Sequence, residues 1–182
     1  MEGIGTFLIK YGIVGIILAA FLEATFLPLP MELVSLPVYL ADPANALIAS
    51  LVLIIFSILG SMTGYLLGRT LGSVLLSRIV PAKRLHQLNR LYENNSMLVI
   101  LSSAITPIPY EVYVLSAGFL QVKFQRFILA ASISRIIRHL PQAILVYYYR
   151  DSLHGEYRIY IAVGLLMVVG IWFVVKHKIP RP

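Results

Sequence analysis

The sequence predicts an all-α membrane protein built from two oppositely oriented re-entrant helical hairpins and about three transmembrane helices. Its 182 residues are 59% hydrophobic and only 13% charged, whereas soluble domains are about 45–50% apolar and about 25% charged. Long uncharged runs recur along the chain, and two further apolar regions are interrupted by the same proline pattern. We therefore expect residues 1–182 to form a single integral membrane domain.

The two apolar regions with the proline pattern, residues 4–41 and 96–121, are predicted to be the re-entrant hairpins. The first is broken at Pro28 and Pro30, and the second at Pro107 and Pro109. Because most arms beside these breaks are too short to span comfortably, each region is expected to enter and leave the membrane by one face. A pair of kinked spanning helices is the alternative that the pattern leaves open.

Three segments are predicted to cross the membrane. Residues 46–77 form the first, because residues 46–68 carry no charge and can cross a core of ~30 Å at ~1.5 Å per residue. Residues 124–150 form the second, although Arg135, Arg138 and His139 interrupt it. Residues 158–176 form the third, which is short for a span.

The two proline breaks are copies of one motif. Residues 28–32 read PLPME and residues 107–111 read PIPYE, so both have the pattern P-x-P-x-E. One predicted span lies between the copies, and the two hairpins should therefore enter from opposite faces. Inverted repeats with broken helices are how many transporters build a site near the membrane midplane.

Each copy places a glutamate after its prolines. Proline ends a helix, and the next helix begins with unpaired N–H groups and a positive dipole end. Glu32 and Glu111 therefore have two compatible interpretations: they cap a helix N-terminus, or they are protonatable or ligand-orienting acids at mid-depth. Glu23 adds a third acid near the first break.

Six charged residues are predicted to lie at membrane depth. Each costs about 2.5–3.5 kcal/mol at a helix centre, so they must pair or line a hydrated cavity. One interpretation is that these residues form structural ion pairs. The other is that the arginines form a cluster that binds a phosphate, because the planar guanidinium suits phosphate oxygens. The six are Glu23, Glu32, Glu111, Arg69, Arg135 and Arg138.

Arg135, Arg138 and His139 share one helix face by their spacing. His139 has two interpretations: a proton relay or a hydrogen-bonded packing residue. Tyr110 and Tyr113 flank Glu111 and are candidate substrate contacts.

Glycines on the first span predict close helix packing, which would bring Arg69 near the contacting element. They recur every fourth residue, at Gly60, Gly64, Gly68 and Gly72.

The positive charge has a preferred side. The net charge is +7 and the pI is about 9.8, which in so apolar a chain favours the positive-inside rule and anionic lipids over nucleic acid. With the predicted topology, one face carries nine Lys and Arg residues and the other carries three. We therefore expect a cytoplasmic C-terminus and a cytoplasmic amphipathic helix at residues 81–95 in a multi-pass protein of the plasma membrane. The chain has no cysteine, and no metal or cofactor is expected.

The residues resemble the DedA or VTT-domain (SNARE-associated) membrane proteins, particularly shorter YqaA-like members. Four segments carry the resemblance: EATFLPLPME from residue 23, GSMTGYLLGRTLG from residue 60, PIPYE from residue 107 with SAG from residue 116, and SRIIR from residue 134. Where many members have an aspartate after the first glycine, this chain has Ser61-Met62. Where many have Arg-Phe before the second motif, it has residues 104–106, AIT.

The resemblance implies opposed hairpins and lipid translocation, since family members are associated with recycling undecaprenyl phosphate, moving phosphatidylethanolamine or scrambling phospholipids. By motif, it matches Glu32, Arg69, Arg135 and Arg138 to functional positions.

We therefore expect a lipid transporter of flippase or scramblase type, not an enzyme. Its partners would be the membrane, a polyprenyl phosphate or phospholipid substrate and a possible second copy of the chain. A proton-coupled transporter of ions or small solutes is the main alternative. An intramembrane lipid phosphatase and a scaffold rank lower; Pro141 stands where a phosphatase histidine would be needed, and no HExxH or GxSxG motif is present.

Overall fold

A computed structural model describes residues 2–79, 90, 92, 95–106 and 108–150, with side chains described for 12–71, 90, 92, 95–106 and 108–150. Within these residues the chain is helical and has no strand. The expected span at 158–176 and the basic tail lie outside the described residues, as does nearly all of the amphipathic helix at 81–95.

The first broken region consists of two helices of unequal length. Helix α1 spans Glu2–Thr25, and α2 spans Glu32–Ala41. The backbone leaves the helix at Phe26 and re-enters it after Pro30, as the loss of a backbone donor and the ring clash at proline require. Glu32 is thus in the first turn of α2, and Met31 before it provides no side-chain cap.

A single-turn 3₁₀ helix, Pro43–Asn45, connects α2 to the longest helix, α3, which spans Ala46–Ile79. The stretch Pro43–Leu71, 29 residues long, is the one helix in the described part of the chain that is long and apolar enough to cross a membrane. At ~1.5 Å per residue it extends about 43 Å. Shorter apolar helices, Gly12–Thr25 and Glu32–Ala41, flank the first break.

The second broken region repeats the pattern. Residues 95–102 are helical, residues 103–106, 108 and 109 are not, and α4 spans Tyr110–Phe119. Glu111 lies in the first turn of α4, as Glu32 does in α2. Gln121, with a φ of 52°, makes a left-handed turn after α4, and α5 then spans Phe124–Tyr148. Pro107 is outside the described residues.

Helix α3 is the centre of the packing, because it contacts α1, α4 and α5. Its glycine face is where the two broken regions meet it: a methyl group added at Gly64 would lie 2.8 Å from both the Thr25 carbonyl oxygen and a Val114 methyl. A methyl group at Gly60 would collide with the Phe21 carbonyl, and one at Gly68 with the Leu115 carbonyl. The prediction that these glycines permit close approach is confirmed at all three positions.

The opposite side of α3 is apolar and exposed. Its outward side chains include Ile48, Leu51, Ile55, Leu59 and Leu66, each more than two-fifths exposed. A helix that is apolar on every side is typical of a membrane environment or a large core, and the exposed side of α3 offers lipid a continuous apolar surface.

Candidate functional site

Helix α5 turns three of its basic residues, Arg135, Arg138 and His139, toward the two broken regions. Arg135 is 1% exposed and His139 is 0% exposed, so both are fully buried. Arg138, between them, is partly exposed. The spacing of i, i+3 and i+4 puts all three on neighbouring positions of one helix surface, as the sequence predicts.

Arg135 is held between the first and second broken regions. Its Nη2 atom donates to Oε2 of Glu23 on α1 at 2.6 Å, in a pair with side-chain exposures of 1% and 5%. On its other side, the guanidinium carbon lies 3.4 Å from the centre of the Tyr110 ring on α4. The charge of Arg135 is therefore balanced by a carboxylate and covered by an aromatic face.

The contact between Arg135 and His139 fixes the state of the imidazole. Nη1 of Arg135 lies 3.3 Å from Nε2 of His139. Because a guanidinium has only donors, Nε2 must accept, so the ring is neutral with its proton on Nδ1. Nδ1 is buried and has no hydrogen-bond partner among the described residues.

Arg138 connects the two proline breaks. Its Nε atom donates to Oε1 of Glu32 at 2.9 Å, at the start of α2, and Nη1 makes a long contact of 3.4 Å with the carbonyl oxygen of Ser103, before the second break. The side chain of Arg138 remains 24% exposed. Of the two arginines on this surface, Arg138 is thus the one whose side chain is still partly exposed, and none of the described hydrogen bonds uses its Nη2 atom.

Hydroxyl groups complete the contacts around the arginines. The Ser103 and Ser134 hydroxyls lie 2.7 Å apart, and the Tyr110 hydroxyl lies 2.8 Å from that of Ser61 on α3. Sequence reasoning did not single out Ser61, Ser103 or Ser134 as site residues. The available signal was a small polar residue at helical spacing within an apolar run, which packing alone also explains.

The acid of the second copy has a different environment. Glu111 is 2% exposed, yet it forms no ion pair with any residue that the structure describes. Tyr113, two residues further along α4, contacts the Thr106 hydroxyl through its own hydroxyl at 2.7 Å. The glutamates of the two motifs therefore occupy equivalent backbone positions but differ in their charge partners.

Arg69 does not join this cluster. Its side chain is exposed, and it forms no ion pair within the described part of the chain. The backbone at Arg69 does approach α4, since its amide nitrogen lies 2.8 Å from where a Gly118 methyl would stand. Residues 68 and 69 differ by about 100° around the helix, so the tight contact at Gly68 directs the Arg69 side chain away.

Across the residues with described side chains, no group of three or more His, Cys, Asp or Glu side chains is arranged to hold a metal ion. What the site does contain is two linked carboxylate–guanidinium pairs, one fully buried and one partly open. Because Glu32 already neutralises Arg138, an anion would be held there through the guanidinium donors that Glu32 and Ser103 leave unused, which favours weak binding.

Comparison with known proteins identifies the family. Residues 29–148 match the model of the VTT domain. An uncharacterized protein of Haemophilus influenzae is 25% identical over 176 residues, covering 92% of this chain and 91% of its own. An uncharacterized protein of Methanocaldococcus jannaschii is 30% identical over 147 residues, covering 79% and 89%. No solved structure matches. The chain belongs to the VTT-domain, or DedA, family, whose members are generally membrane proteins.

Proposed function

We propose that this protein carries lipids with a phosphate headgroup across the bilayer, as a flippase or scramblase, and that Arg138 contacts the phosphate. The observation that carries the proposal is the Glu32–Arg138 pair, in which the Glu32 side chain is 9% exposed and the Arg138 side chain 24% exposed. A partly exposed arginine that contacts both broken regions and keeps a guanidinium nitrogen outside its described hydrogen bonds supports anion binding, and its pairing with Glu32 makes that binding weak and transient.

The remaining basic and acidic residues have supporting roles in this proposal. The guanidinium of Arg135 already contacts Glu23, Tyr110 and His139. In this proposal Arg135 therefore positions the cluster and adds positive potential, but it does not bind the phosphate directly. Glu32 holds Arg138 in place and limits how tightly phosphate binds. A transporter needs that balance, because a headgroup that binds too strongly is not released.

In the membrane, we infer that the two broken regions are re-entrant hairpins that enter from opposite faces, with the C-terminus in the cytoplasm. Helices α1 and α4, one beside each break, pack against the same stretch of α3, and both broken regions contact Arg138, which supports a common depth for the two breaks. The excess of Lys and Arg on one predicted face supports the orientation.

Single cysteines test this topology directly, because the chain has none of its own. Leu29→Cys and Ile108→Cys lie in the two breaks at partly exposed positions. Opposite entry predicts that an impermeant thiol reagent never reaches Leu29→Cys from the cytoplasmic side or Ile108→Cys from the outer side. Kinked spanning helices would instead expose Leu29→Cys to the cytoplasm.

The lipid proposal is tested with purified protein in liposomes that contain a fluorescent phosphatidylethanolamine or a short polyprenyl phosphate. We expect the protein to accelerate transfer between leaflets, and Arg138→Gln to slow it at least about tenfold. Arg126→Gln is the matched control, since Arg126 is an exposed arginine on the same helix. Failure to accelerate transfer of any phosphate lipid would overturn the proposal.

Glu111 gives the alternative its specific support, because a buried acid with no ion pair among the described residues suits proton transfer. A proton-coupled transporter of ions or small solutes predicts a proton flux in protein-containing liposomes that lack any transferable lipid probe. That flux, together with an absence of lipid transfer, would favour the alternative.

A further inference from the structure

A row of buried polar groups lies between α2 and α3, beside the ion pairs. Ser35 and Tyr39 on α2 and Ser50 on α3 are each 0% exposed. None of their side-chain oxygens has a hydrogen-bond partner among the residues that the structure describes, and the same is true of Oε2 of Glu32. Four buried oxygens at one interface therefore have incomplete hydrogen bonding.

These groups form a continuous line. Glu32, Ser35 and Tyr39 are spaced i, i+3 and i+7, so they lie on one face of α2. The Tyr39 hydroxyl lies near the side chains of Ser35 and Ser50, but these approaches do not reach the distance and angles of a well-formed hydrogen bond. From Glu32 to Tyr39 the line extends about 10 Å along the helix.

The end of the line away from Glu32 lies toward the turn that joins α2 to α3. Tyr39 is in the last turn of α2, and Ser50 is in the first turns of α3. In that turn Asn45 is exposed and donates to the Asp42 carboxylate at 2.8 Å. By chain position, the row therefore lies between this turn and Oε2 of Glu32.

The charge balance decides which ligand suits this row. Glu32 is already neutralised by Arg138, and the three hydroxyl groups carry no charge. A cation bound there would be uncompensated, and burial of an uncompensated ion is strongly unfavourable. A neutral molecule that both donates and accepts hydrogen bonds fits, and buried polar groups that lack protein partners are typically completed by ordered water.

We propose that the α2–α3 interface binds a short chain of water molecules that runs from the Asp42–Asn45 turn to the Glu32 carboxylate. This chain gives Glu32 a route for proton exchange with the compartment at that turn. The route is separate from the surface of Arg138 that faces the second break, so it does not depend on which molecule the protein transports.

Radiolytic hydroxyl-radical footprinting of the unsubstituted protein in lipid nanodiscs tests the proposal, because side chains next to bound water are modified preferentially. Tyr65 is the matched control: it is 2% exposed, and its hydroxyl donates to the Val122 carbonyl at 2.6 Å. We expect modification of Tyr39 to exceed that of Tyr65 at least about fivefold. Equal, low modification of both tyrosines would overturn the proposal.

Thiol labelling gives an independent measurement. Ser50→Cys and Leu53→Cys replace two residues of α3 that are both 0% exposed. Because the thiolate is the reactive form and needs hydration, N-ethylmaleimide should label Ser50→Cys at least about tenfold faster. Equally slow labelling would contradict the water chain. Neither readout involves lipid transfer, so failure of this inference is distinguishable from failure of the proposed function.

Discussion

The two copies of the proline motif have the same backbone arrangement, but their glutamates differ in whether they form an ion pair. In the first copy, Glu32 is paired with Arg138, and Glu23, nine residues earlier, is paired with Arg135. In the second copy, Glu111 has no ion pair among the described residues, and Ser102 stands nine residues before it. The two inward-facing arginines of α5, Arg135 and Arg138, thus neutralise acids in the first broken region.

The second copy supplies aromatic and neutral contacts instead. Tyr110 covers the face of Arg135 that Glu23 does not reach, and the Ser103 carbonyl contacts Arg138. The comparison shows that the repeated motif sets where a helix starts in both copies, because the backbone restriction at proline is local. The partner of each acid is set by α5, which lies outside the repeat, and so each copy can acquire a different role.

The largest effect is expected from breaking the buried pair of the first copy. Arg135→Gln leaves the Glu23 carboxylate buried without its partner, which should lower the free energy of unfolding by about 3–5 kcal/mol. Chemical denaturation in detergent micelles measures this loss. The double variant Glu23→Gln with Arg135→Gln should recover much of it; a double variant as unstable as the single one would show that the pairing is not the cause.

The second effect concerns α3, which both copies contact at Gly64. A side chain in Gly64→Val would meet Thr25 of the first region and Val114 of the second, each 2.8 Å from the added carbon. We expect a loss of about 1–3 kcal/mol from overpacking. Gly15→Val on α1 is the control, since nothing lies within 4 Å of an added carbon there. Equal stability of both variants would contradict the close approach.

The third prediction compares the equivalent acids directly. Glu32→Gln removes the partner of Arg138, which is partly exposed, and should cost about 2 kcal/mol, between the values for buried and surface pairs. Glu111→Gln removes no described ion pair and should cost less than about 1 kcal/mol. Thermal unfolding of the two variants measures both losses of stability. A larger loss for Glu111→Gln would contradict the assignment of Glu32 as the ion-paired acid.

The smallest effect is expected at Tyr110. Tyr110→Phe keeps the ring over Arg135 and loses the hydroxyl contact with Ser61, which should cost about 1 kcal/mol. Tyr110→Leu also removes the aromatic face and should cost more. Identical unfolding free energies for the two variants would show that the ring face does not stabilise Arg135.

Local rules predicted much of this arrangement. Helix breaks at the prolines, acids in the first turn after each break, and a shared face for Arg135 and His139 all follow from backbone geometry and helical spacing. The glycine face of α3 was predicted for the same reason, because a four-residue spacing aligns on one side of a helix.

Tertiary contacts decided the rest. Counting three acids and three arginines suggested full neutral pairing, but which acid meets which arginine depends on how α1, α2 and α5 pack. Arg69 lies beside the contact with α4, as expected, but its side chain is exposed, since the tight approach at Gly68 directs the neighbouring side chain outward. The row of Ser35, Tyr39 and Ser50 joins two helices, and no single segment of sequence reveals it.

The most direct test of the central claim is the transfer rate of two lipids with identical chains, one with a phosphate headgroup and one without, in liposomes that contain the purified protein. We predict that the protein accelerates transfer of the phosphate lipid at least about tenfold more than that of the phosphate-free lipid, and that Arg138→Gln abolishes the difference. Equal acceleration of both lipids would contradict recognition of phosphate at Arg138.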